Sequence, residues 1–166
     1  LDGTVNVAGI DLSTHAVDVV KVPLDGDREP QWFRFPLIGS DAFDRARTVR
    51  DAMPCRSSEF WDDVMAIGIE NPQARGPAAQ NIAALHRVVG AVLACIPPHL
   101  LVHPLQPASW RKLVGLKGNA TKWEVAGFSD DLRPRPSEDW PQDAHDAHLI
   151  ARATRELITD QKEAAA

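Results

Sequence analysis

Three β-rich runs follow one another at the start of the chain, residues 5–11, 15–22 and 31–37, divided by turn signals such as Asp25-Gly26-Asp27 and by no helical repeat. This succession predicts an antiparallel meander, whose apolar face must be covered by whatever comes next. The rest of the chain supplies the cover. Phe43, Ala46, Val49 and Met53 recur at helical spacing behind Ser40, an expected N-cap, and stop at Pro54. Residues 64–70 read as a fourth strand. After Pro72, Gly76 and Pro77 a long helix is expected to about residue 96, with a stripe of Ile82, Leu85, Val89, Val92 and Leu93. A short fifth strand over 100–103, a proline-rich break over 133–141 and a terminal helix complete an α/β order. At 166 residues one core is expected, so 1–166 is read as a single unit whose tail from 162 to 166 frays.

No apolar run approaches the ~18 residues of a membrane span, and the start LDGTVNV lacks the basic and apolar blocks of a signal peptide. Cys55 and Cys95 stand far apart, which fits reduced thiols in a cytoplasm. A net charge of −5 disfavours a phosphate-rich partner, yet the charge is unevenly spread. Residues 107–123 carry Arg111, Lys112, Lys117 and Lys122 and no acid, with Trp110 and Trp123 interleaved. That local segment is a candidate nucleic-acid contact; alone it reads equally as a solvated helix and loop.

Asp11 closes the first strand in GID, and Glu70 closes the fourth in AIGIE. A charged group at the end of a buried strand costs desolvation unless something compensates it. The terminal stretch QDAHDAHLIARA adds Asp143 and Asp146, which at about 100° per residue fall roughly 60° apart, on the side of Ile150, Ala153 and Leu157. They are expected to face inward. His145 and His148 are expected on the opposite side, toward solvent with Arg152 and Arg155. Four inward carboxylates repel one another and favour protonation unless a cation joins them. All-oxygen ligation selects magnesium or manganese over zinc. Two such ions about 4 Å apart suit phosphodiester hydrolysis.

The motifs GID at 9–11, IGIE at 67–70, VGLKGNATK at 114–122 and DAHDA at 143–147 resemble, in order and spacing, those of the RuvC family of Holliday-junction resolvases. The resemblance runs from about residue 5 to residue 153. It implies an RNase H-like fold, a five-stranded mixed sheet with its first three strands antiparallel, flanked by helices. It implies a metal-dependent endonuclease in which Asp11, Glu70, Asp143 and Asp146 bind two Mg2+ ions per site, with Mn2+ expected to substitute. Lys122 matches a lysine placed to meet DNA phosphate, and Arg111, Lys112 and Lys117 join it as expected DNA contacts. A homodimer through the helix over 77–96 is also implied, the same stripe being equally readable as core. The compact form is compatible with a phage-encoded protein of a bacterial cell.

Two departures stand out. Asp11 is followed by Leu12-Ser13-Thr14 in place of Pro-Gly, and Gln73 stands where the family commonly carries an aromatic wedge, which points to broader branched-DNA selectivity. Two other readings remain open: an RNase H-like nuclease acting on RNA or RNA–DNA hybrids, and a junction-binding protein without catalysis. GIDLST also resembles the phosphate strand of the actin-like ATPases, but the chain has room for one half of that fold. Gly115 to Lys122 lacks the GxxxxGK[ST] order of a P-loop, and Pro97-Pro98 breaks the four-residue spacing of Cys95, His99 and His103.

Overall fold

The computed structural model describes residues 4–13, 15–25, 28–71, 79–134 and 139–164. Its elements are β1 (Asn6–Leu12), β2 (Ala16–Pro23), β3 (Gln31–Pro36), α1 (Ala42–Ala52), a 3-10 turn (Glu59–Trp61), β4 (Val64–Glu70), α2 (Ala79–Cys95), β5 (Leu101–Leu105), α3 (Pro107–Leu113), α4 (Lys122–Asp131) and α5 (Gln142–Ala164). The strands form one sheet in the order β3-β2-β1-β4-β5. β1 pairs antiparallel with β2, and β2 with β3, while β4 runs parallel to both β1 and β5. This is the mixed sheet expected from the sequence.

Side chains alternate across a strand, so each strand divides its residues between two layers. Ala8, Ile10, Leu12, Val17, Val19, Ile67 and Ile69 point into a core closed by Val49 and Met53 at α1 and by Val88, Val92 and Cys95 of α2. Val7, Val20, Val22 and Ala66 point the other way, against Ala144, Ala147 and Ala151 of α5. Every residue of β1 and β2 is buried because both faces are covered. Trp110, Val125 and Leu105 extend the α5 layer beyond β5.

Two details of the first helix differ from expectation. Its cap is Asp41, whose Oδ1 accepts from the backbone N–H of Phe43 at 2.7 Å and of Asp44 at 3.0 Å; Ser40 donates instead to the Asp44 carboxylate. Phe43, expected in the inward stripe, is exposed and lies under the Arg87 guanidinium of α2. Among the described side chains of α2, Val88, Val92 and Cys95 are buried, whereas Leu93 faces outward. Among the described residues no helix is long and apolar enough to cross a membrane.

Candidate active site

The period of two along each strand aligns a row of charged residues on the α5 side of the sheet. Arg34 of β3 pairs with Asp18 of β2, and Asp18 pairs with Asp11 of β1. Ile10 pairs with Ile69, so Glu70 continues beside Asp11 at the end of β4. Above this row begins α5, and its approach is set by two glycines. A Cβ on Gly9 would stand 2.0 Å from the Ala147 carbonyl oxygen and 2.3 Å from the Ala151 nitrogen; one on Gly68 would stand 2.0 Å from Thr154 Oγ1. With hydrogen in place of those carbons the helix backbone rests directly on the sheet, which brings its first turn, with Asp143 and Asp146, over the row.

Electrostatics register that convergence. Burial first, and then the charges of Glu70, Asp146 and Asp143, hold the Asp11 carboxyl well above the ordinary carboxylate range. Burial also raises Glu70, opposed by the Trp110 indole, which donates to Glu70 Oε2 at 2.9 Å. Asp146 is raised by burial and moderated by Gln142, whose Nε2 donates to Oδ1 at 3.0 Å, and by the charges of Arg111 and Lys122. Asp143 Oδ2 lies 3.9 Å from Arg34 Nη2. The four carboxylates predicted from sequence thus share one electrostatic neighbourhood.

The donor set is all oxygen and short of positive charge, which suits a hard divalent ion. It is not a closed cage: among the described residues no three His, Cys, Asp or Glu are gathered at coordination spacing. Asp143 leans instead toward Arg34. The chemistry of the residues fits magnesium or manganese, and an ion would draw the carboxylates together against their mutual repulsion.

Of the four expected DNA contacts, Arg111 and Lys122 act on the carboxylates, Arg111 on Glu70 and Asp146, Lys122 on Asp146. Lys112 and Lys117, between Arg111 and Lys122 in the chain, are exposed, and the charge of Lys117 acts on Glu124. Trp110 is wholly buried and serves as the Glu70 donor, while Trp123 stands in solvent. Gln73 lies outside the described residues.

The expectation that His145 and His148 face solvent is overturned: they are 5% and 0% exposed. The helical wheel assumed one covered face, whereas α5 is covered by the sheet on one side and by α3 and α4 on another. Both imidazoles meet the buried Ser129 of α4, whose Oγ lies 3.0 Å from His145 Nδ1 and 2.8 Å from His148 Nδ1. A hydroxyl has one proton to give, so one ring accepts at Nδ1 and the other donates there. Burial pushes the His148 imidazole down to about 3, aided by the charges of Arg152 and Arg133, and also lowers His145. These are neutral packing residues joining α4 to α5.

The sequence also passed over Asp18. It is wholly buried, accepts from Trp32 Nε1 at 2.8 Å and meets Arg34 Nη1 at 3.3 Å, with its second oxygen unpartnered. Burial raises its carboxyl above the ordinary range against those two partners. The signal was present in AVDVVKV, where an acid interrupts an apolar strand.

No family model and no curated protein matches this sequence. Among solved structures the chain is similar to Thermus thermophilus RuvC, with a TM-score of 0.69 and 20% identity over 94% of this chain and 96% of that one. T. thermophilus RuvC in complex with a Holliday junction substrate matches with a TM-score of 0.69 and 18% identity, over 93% and 96% of the two chains. The protein has the RuvC, RNase H-like fold.

Proposed function

We propose that this chain is a divalent-cation-dependent endonuclease for branched DNA, four-way junctions above all, in which Asp11, Glu70, Asp143 and Asp146 hold two magnesium ions. The observation that carries this reading is the meeting of Asp11 and Glu70, at the ends of neighbouring strands, with the first turn of α5 that bears Asp143 and Asp146, seated on the sheet at Gly9, with the charges of Arg111 and Lys122 acting at the edge. When bound, the ions supply an activated water and stabilise the leaving oxygen of a phosphodiester. The protein's own groups do the positioning. Trp110 fixes one oxygen of Glu70, Gln142 fixes one of Asp146, and the backbone contact at Gly9 fixes α5 over β1. Lys122 and Arg111 place positive charge where a substrate phosphate would enter, with Lys112 and Lys117 along the backbone path.

A junction has two strands to cut, and a homodimer through α2 would supply the second site. Phe43 and Leu93 support this interface, being exposed apolar residues on α1 and α2, which pack against each other. A protein that only bound junctions would gain nothing from anionic groups facing phosphate.

The test compares cleavage of a four-way junction, a fork, a plain duplex and an RNA–DNA hybrid in Mg2+ and then Mn2+. Preferential cutting of the junction is expected, and preference for the hybrid would replace this reading with an RNA-directed nuclease. Asp146→Asn should abolish cutting while branched DNA still binds. Undiminished cutting would remove the carboxylates from the mechanism.

A further inference from the structure

Trp123 is 86% exposed, whereas Trp61, Trp110 and Trp140 are buried and Trp32 is half-buried. An indole left in water contributes no packing to the fold. The backbone that carries it is nonetheless anchored. It is the second residue of α4, whose first turn is locked by a reciprocal cap: Thr121 Oγ1 accepts from the Glu124 N–H at 3.3 Å, and Glu124 Oε2 accepts from the Thr121 N–H at 2.7 Å. Behind that turn Val125 is buried in the core shared with α5, and Ser129 is tied to His145 and His148. The ring is therefore presented on a fixed element.

A lysine stands next to it in the chain, while the carboxylate on its other side is tied up in the cap. Lys122 precedes it and acts on Asp146, so the indole stands one residue from a lysine that borders the carboxylate cluster. Glu124, the next residue of the turn, is folded back on Thr121, and the charge of Lys117 from the preceding loop acts on it. An exposed aromatic face with Lys122 next to it in the chain matches a nucleobase attached to its phosphates, because the ring stacks on the base while the ammonium group neutralises the backbone. We propose that Trp123 is a stacking platform for an unpaired base of the DNA substrate beside the scissile phosphate. A fully paired duplex offers no free base face at that point. Trp123 would thus favour branched over continuous DNA, independently of whatever Gln73 contributes.

This inference rests on the proposed nuclease function. Its test uses the full chain with Ca2+ in place of Mg2+ and a four-way junction carrying 2-aminopurine next to the branch point. Trp123→Ala should weaken junction binding about tenfold or more, from the ~1–3 kcal/mol per stacked base, with duplex binding and Tm unchanged. Trp123→Phe should restore most of the affinity, and quenching of 2-aminopurine should follow the same order. If the wild-type protein binds junctions in Ca2+ and cuts them in Mg2+ while Trp123→Ala binds them as tightly and quenches as fully, the stacking role is overturned alone. If the wild-type protein neither binds nor cuts branched DNA, the nuclease reading falls and takes this role with it.

Discussion

Asp11 and Asp18 face each other across the antiparallel pair β1–β2, 8% and 0% exposed respectively. Like charges directly opposite on a sheet destabilise it, and burial with the neighbouring acids raises the Asp11 carboxyl well above its unfolded range. The sign follows from linkage: the folded state keeps a proton that the unfolded chain has released. This contribution to stability is full below the ordinary carboxylate range and is lost as pH rises through the raised folded value. Without divalent ions, Asp11→Asn should therefore raise Tm at neutral pH, by roughly 2–4 °C for each kcal/mol relieved. Thermal melts with and without Mg2+ should show the wild type gaining from the ion and the variant gaining little.

Arg34 touches Asp18 at 3.3 Å and approaches Asp143 at 3.9 Å, so one guanidinium serves a buried acid and a candidate metal ligand together. Arg34→Gln should cost about 1–3 kcal/mol by stripping Asp18 of a partner. It should also tighten Mn2+ binding several-fold, since a competing cation is gone. Urea unfolding and calorimetric titration measure the two effects separately; weaker Mn2+ binding would mean that Arg34 holds Asp143 in place for the ion.

The glycines at the helix contact predict different rescue behaviour. An added methyl at Gly68 meets the Thr154 side chain first, so Gly68→Ala should destabilise and Thr154→Ala should recover part of the loss. At Gly9 the obstacle is the α5 backbone, which no side-chain change removes. Gly9→Ala should cost about 3 kcal/mol or more and lower cleavage in proportion to the displacement of α5. A double-mutant cycle in Tm and activity checks both statements.

His148 should be sensitive to substitution. His148→Ala should cost about 2–4 kcal/mol, from the cavity and the lost Ser129 contact. Its imidazole is held down to about 3 in the fold, so the unfolded chain takes up a proton first as pH falls. Stability is lost from pH ~6.5 downward through about 3. Denaturation curves for His148→Asn should lack this component of the acid slope.

The succession of strands and helices was legible because period-two alternation is a local property, and Asp11 and Glu70 stood out as acids at the ends of apolar runs. The assignment of His145 and His148 to solvent failed because a wheel records which residues share a side but not how many sides are covered. The uncharged run between Asp146 and Arg152, in which Ala147, Leu149 and Ile150 surround His148, was the available sign of a helix buried on more than one face. Arg34 and Asp18 escaped because their relation to Asp143 depends on pairing between strands and on the seat of α5. Trp110 carried no sign that its indole would turn inward to Glu70 rather than outward with Trp123.

The seat of α5 on Gly9 has one more consequence. Where two main chains touch, no rotamer lies between them, so the gap between β1 and the first turn of the helix cannot drift by side-chain hops. The separation of the acids on α5 from those on the strands is gauged by atomic radii, with the only slack left in the carboxylates' own torsions.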